Sequence, residues 1–133
     1  MTHPDLVDLE FMTRFRTAYG AIDAAALKII LAPNFEWHLN WFPADNPVPT
    51  GKILRGLDAM IAELHLRKRS WSMVRFQGLQ ERFLPGLVVQ TFTISGIDQN
   101  GRAFDVAAVD LYTIENGLMA KKDTYWKFGQ TDG

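Results

Sequence analysis

Leu6, Leu9, Phe11, Phe15 and Ala18 recur at spacings near three and four residues, the period of an amphipathic helix. This pattern predicts a helix over residues 5–19, capped by Asp5 after Pro4 and closed by Gly20. Asp23 predicts a second, shorter helix over 23–32, ended by Pro33–Asn34. The aromatic run 35–40 reads as a strand. Residues 41–56 carry Pro43, Pro47, Pro49, Gly51 and Gly56, too many breakers for regular structure, yet are too apolar for a plain linker. A lid or binding loop is expected there. Asp58 then caps a third helix reaching about Arg69.

Beyond Ser72 the period changes to two. Segments 72–83, 87–97, 103–114 and 118–128 alternate or carry β-branched and aromatic residues. They are separated by Pro85–Gly86, by Asp98 to Gly101 and by Glu115 to Gly117, and the last two turns contain Asn-Gly steps that favour hairpins. The expectation is α+β: three N-terminal helices on one face of a curved antiparallel meander of four strands, which the early strand can join. Alternation groups Val106, Ala108, Asp110 and Tyr112 on one face with Gln90, Phe92, Ala120, Lys122, Thr124 and Trp126. Val109, Leu111, Thr113, Lys121, Asp123 and Tyr125 take the other. The hairpins set Asp110 opposite Lys122 or its neighbour, and residues near Gln90 opposite Asp110.

Composition narrows the classes. The chain has 133 residues, 47% hydrophobic, with no cysteine, so it is long enough for its own core and holds no disulfide, cysteine-ligated zinc or thiol nucleophile. One domain over 1–133 is expected. Lys+Arg 14 against Asp+Glu 15 gives a net charge of -1, which argues against nucleic acid or an anionic membrane as partner. The start of the chain lacks a basic segment followed by an apolar block. No apolar run approaches the roughly 20 residues of a membrane span, so a soluble, cytoplasmic protein is expected.

Specific residues carry a resemblance. Val109-Asp110-Leu111-Tyr112-Thr113-Ile114-Glu115-Asn116-Gly117, followed by Thr124-Tyr125-Trp126, is similar to the last hairpin of ketosteroid isomerases. Asp23, the short helix and Asn34-Phe35-Glu36-Trp37 match more loosely. With the order of elements, the chain resembles the nuclear-transport-factor-2-like superfamily, within it the ketosteroid isomerase and SnoaL-like polyketide cyclase group. The resemblance implies a cone-shaped sheet around a ligand pocket closed by the helices, an apolar organic ligand, no cofactor, and a homodimer through the outer sheet face. It puts Asp110 where those isomerases carry a neutral aspartic acid that hydrogen-bonds the substrate oxyanion, and Trp126 at a pocket-lining tryptophan. Two positions depart from it. The family's general-base aspartate falls at about Leu39 and its oxyanion tyrosine at about Phe15. Neither side chain can move a proton, and Lys122 beside Asp110 favours an ion pair over a neutral donor. Steroid isomerisation by the family mechanism is therefore not expected.

The candidate chemistry follows. His38, beside the missing base position, is either the general acid or base or a rim histidine bonded to backbone. Asp110 and Lys122 are either a substrate-orienting pair or a buried structural ion pair. Phe15, Tyr19, Trp37, Trp41, Gln90, Tyr112, Thr124 and Trp126 are the expected substrate-binding set. Tyr19, one helical turn past Phe15, offers a displaced phenol or is only a wet helix-end tyrosine, and Trp71 reads as packing. The basic run His65 to Arg69 complements a helix C-terminus. His3, His38 and His65 lack metal-ligand spacing, and Gly51 to Gly56 is not a phosphate loop. The function expected is proton-transfer chemistry of isomerase, cyclase or hydrolase type on an apolar molecule. Ligand binding without turnover and dimeric assembly are the alternatives.

Overall fold

The computed structural model describes residues 3–40 and 52–127. Helix α1 covers Leu9–Ala21, and its N-cap is Asp8, whose side chain accepts from the Phe11 N–H at 3.0 Å. The expected cap, Asp5, is used elsewhere. Its carboxylate accepts from the Asn116 N–H at 2.8 Å and its carbonyl from Gly86, so it pins the N-terminal segment to two β-turns. Helix α1 ends through Ile22 in a left-handed conformation, φ 51°, two residues past the expected Gly20. Asp23 caps α2, Ala24–Ile30, through the Ala26 N–H.

Strand β1, Leu31–Asn40, begins earlier than its sequence suggested. Pro33 and Asn34 lie inside it, where the register against its neighbour is broken between Leu31 and Glu36, so the missing proline N–H interrupts no ladder. The breaker-rich segment hides a short strand, β2, Lys52–Arg55, paired antiparallel with β1. Helix α3, Gly56–Ser70, has no side-chain cap, and Asp58 sits in its first turn, where its charge suits the dipole.

The meander β3 (Ser72–Leu84), β4 (Leu87–Ile97), β5 (Ala103–Glu115) and β6 (Leu118–Lys127) completes a six-stranded sheet of order β2-β1-β6-β5-β4-β3. The sheet is curved and unclosed. It is antiparallel throughout except that β1 runs parallel to β6, a pairing that sequence alternation could not orient. Asn116 and Gly117 both take positive φ, 52° and 75°, as the tight β5–β6 hairpin requires.

The helices cover one face. Phe11, Met12 and Phe15 of α1, Leu27 and Ile30 of α2 and Met60 and Leu64 of α3 share a core with Trp37, Leu39, Val88, Tyr112, Ile114 and Met119 of the sheet. Inward alternation on β5 is as expected, with Val106, Ala108, Asp110, Tyr112 and Ile114 all buried. On β6 a register shift between Thr113 and Ile114 pairs Ile114 with Met119. Met119 therefore faces inward in place of the expected Ala120.

Candidate functional site

Between α1, α3 and the inner sheet face lies a cavity of about 310 Å³. Strand register builds its floor: Gln90 pairs with Asp110, Asp110 with Thr124, and Tyr112 with Lys122. All five side chains are buried. Lys122 therefore stands diagonally from Asp110, and its Nζ donates to Asp110 Oδ2 at 2.8 Å and to Tyr112 Oη at 3.0 Å. Thr124 Oγ1 donates to Asp110 Oδ1 at 2.5 Å and accepts from Trp37 Nε1 at 2.9 Å. The Tyr112 hydroxyl donates to Gln90 Oε1 at 2.9 Å. Gln90 in turn donates to Glu81, which is paired with Arg16 of α1. One polar chain thus runs from Trp37 to Arg16 along the floor, and each buried polar group in it finds a partner, as low dielectric demands.

Burial, reinforced by the Asp110 charge, pushes the Tyr112 hydroxyl well above the ordinary phenol range. Tyr112 is a hydrogen-bond donor here, not a base. The Lys122 ammonium is also enclosed by aromatic faces, with ring centroids of Tyr112, Tyr19 and Trp37 at 4.9, 5.1 and 5.4 Å. Phe15 packs edge-on to Tyr112 at 5.4 Å. Of the expected residues, Phe15, Tyr19, Trp37, Gln90, Asp110, Tyr112, Lys122, Thr124 and Trp126 all line this cavity. Trp41 lies outside the described residues.

His38 does not join them. On β1 the buried, inward residues are Phe35, Trp37 and Leu39, so His38 projects from the opposite face. There its Nε2 lies 3.1 Å from Glu36 Oε1, and Arg55 pairs with the same carboxylate. The acid–base role expected of His38 in this pocket is corrected accordingly. Adjacency to the missing base position was adjacency in sequence, and a strand sends neighbours to opposite sides.

Other lining residues were not foreseen. Arg67 of α3 lies over Trp37 at 4.7 Å, Trp71 at 5.0 Å and Trp126 at 5.7 Å, and pairs with Glu63 at 2.9 Å. The signal was present: Met60, Leu64 and Arg67 follow helical spacing on one face, but the basic run masked it. Arg16 and the wall residues Phe76 and Leu79 depend on how β3 and α1 meet, which no local pattern encodes. Phe92, grouped with Gln90 by alternation, and Ile94 two residues on complete the wall from β4. Trp71 does not line the cavity but packs with Phe104 and Trp126. Among the described residues no cluster of three His, Cys, Asp or Glu could hold a metal ion.

An α+β sheet curled around a pocket and capped by three helices defines the nuclear-transport-factor-2-like class, and solved structures of that class superpose on it. One such protein from Burkholderia xenovorans LB400 matches with a TM-score of 0.74 and 17% identity, over 90% of this chain and 88% of that one. A putative polyketide cyclase from Pseudomonas putida KT2440 gives 0.69 and 17%, over 96% and 92%. A protein with a ketosteroid isomerase-like fold from Catenulispora acidiphila DSM 44928, in complex with trimethylamine, gives 0.68 and 13%, over 91% and 88%. Within the class, residues 12–122 match the SnoaL-like domain, and the chain belongs to that family. Among curated proteins no match was found. No described helix is long and apolar enough to cross a membrane.

Proposed function

We propose that the chain holds a small, mostly apolar organic molecule in this cavity and acts on it by acid–base chemistry of isomerase, cyclase or hydrolase type. The observation that carries the reading is the Lys122 ammonium at the floor of an apolar cavity. It uses two of its three N–H groups on Asp110 and Tyr112, and the third is available to a ligand oxygen. Away from bulk water such a donor stabilises charge developing on that oxygen. Asp110 is the one carboxylate lining the cavity among the described residues, and it takes the proton from the neighbouring carbon. The names of two structural neighbours, a putative polyketide cyclase and a ketosteroid isomerase-like protein, point the same way.

Ligand binding without turnover is the second reading. It is favoured by one observation: both Asp110 oxygens already accept hydrogen bonds, from Thr124 and Lys122. Apolar ketones, epoxides and polyketide-like esters incubated with the native protein and with Asp110→Asn separate the two. Turnover by the native protein and not by the variant supports catalysis, and binding without turnover selects the second reading. If nothing binds across the panel, both readings fail. A homodimer through the outer sheet face belongs to the same proposal: Val109, Leu111 and Thr113 stand half-buried there and Tyr125 exposed in the single chain. Sedimentation as a monomer at micromolar concentration removes it.

A further inference from the structure

One row of residues crosses the sheet: Glu81 of β3 pairs with Gln90, Gln90 with Asp110, and Asp110 with Thr124. Gln90, Asp110 and Thr124 line the cavity, whereas Glu81 stands outside the lining with its side chain 5% exposed. Beside this row the Tyr112 hydroxyl has one proton and two acceptors within reach, Gln90 Oε1 at 2.9 Å and Asp110 Oδ2 at 3.3 Å. An amide carries an acceptor at one end and two donors at the other. Which end of Gln90 faces the hydroxyl therefore decides where that proton goes.

We infer that Glu81 is a positioning residue, which fixes the Gln90 amide and thereby keeps the Tyr112 proton off Asp110. Both of its oxygens are engaged, one by the Arg16 guanidinium and the other by Gln90 Nε2 at 2.9 Å. A carboxylate only accepts, so the Gln90 amide group turns its N–H toward Glu81 and its oxygen toward Tyr112. Turned the other way, two buried acceptors would face each other with no proton between them, which is costly. The Tyr112 oxygen is left to accept from Lys122 at 3.0 Å. The consequence for chemistry rests on the reading that Asp110 takes a proton from the ligand. Asp110 already accepts from Thr124 and Lys122. Each further hydrogen bond to a carboxylate favours its charged form and weakens it as a base. Glu81, from outside the cavity, spares Asp110 a third donor.

Glu81→Gln reverses the chain. Arg16 then holds the carboxamide by its oxygen, the carboxamide N–H faces Gln90, and the Gln90 N–H turns to Tyr112, whose proton passes to Asp110. Arg16→Met breaks the same ion pair but leaves an acceptor-only carboxylate beside Gln90. Carbon-13 NMR of the full chain at pH 8, without ligand, reads Asp110 Cγ and Tyr112 Cζ. Both signals should shift in Glu81→Gln and stay near their native positions in Arg16→Met. Equal shifts in the two variants mark a merely structural ion pair and overturn the inference, as does no shift in Glu81→Gln. Neutron diffraction from native crystals locates the Tyr112 proton without any variant, and a proton on the Asp110 side overturns the inference as well. For any compound that the native protein turns over, Glu81→Gln should lower kcat about tenfold at unchanged KM, and an unchanged kcat overturns the catalytic consequence. A native protein without turnover ends the acid–base reading, and the NMR and neutron results still decide the role of Glu81.

Discussion

Replacing Lys122 by Met probes the floor of the cavity most directly. The two charged side chains are 5% and 2% exposed and 2.8 Å apart, so solvent does little to screen them. Met fills much of the volume but leaves the Asp110 carboxylate buried with the Thr124 hydroxyl as its main partner. Removing one member of a buried pair costs about 3–5 kcal/mol. The retained 2.5 Å bond from Thr124 holds the expected loss near the lower end, about 3 kcal/mol. For a domain of this size that lowers the melting temperature by roughly 10–15 °C. The double variant Asp110→Asn, Lys122→Met removes both charges and keeps a hydrogen-bonding side chain facing Thr124. It should recover most of the loss, giving a coupling of about 2 kcal/mol in a urea-unfolding cycle. A single variant that loses less than about 1 kcal/mol, or a double variant no better than the sum of its parts, would refute the reasoning that these charges depend on each other.

Tyr112→Phe should cost about 1–2 kcal/mol at neutral pH, since Gln90 and Lys122 both lose a partner. The Tyr112 hydroxyl is raised in the folded protein, so its contribution is complete below the ordinary phenol value of about 10 and is lost as pH rises toward the folded value. Native stability should therefore fall more steeply above about pH 10 than that of the variant, and parallel curves count against the burial argument. The Glu36 carboxyl is held below its usual range, first by the His38 hydrogen bond and then by Arg55. His38→Ala should raise its NMR titration midpoint while leaving ligand binding at the cavity unchanged, and loss of binding would contradict the placement of His38. Gly96→Ala puts a Cβ 2.9 Å from the Phe104 ring and 3.1 Å from the Ser72 carbonyl. That overpacking should cost about 1–3 kcal/mol, read by urea unfolding, and a neutral result would mean that Phe104 swings away freely.

Periodicity alone determined a good deal of this protein. The helical stripe of Phe11 and Phe15, the Asp23 cap, the Asn116–Gly117 hairpin and the pairing of Gln90 with Asp110 are local or near-local features. Short hairpin loops convert sequence offsets directly into register. That is why local sequence alone puts Asp110, Tyr112, Lys122 and Thr124 on one face. The same rule worked against His38: it shares a strand with Trp37 but not a side. What only the tertiary structure decided involves elements distant in sequence. Asp5 gave up its capping role to Asp8 because the β5–β6 turn claims its carboxylate across 111 positions. The chain 52–55 became a strand because β1 offered a partner edge, which a scan for breakers cannot register. Arg16 and Arg67 joined the lining only because α1 and α3 docked on the sheet. The sequence determined the floor of the pocket because β-pairing is set by short turns. The roof was decided by helix docking, because long-range packing chooses which end of an amphipathic side chain faces in.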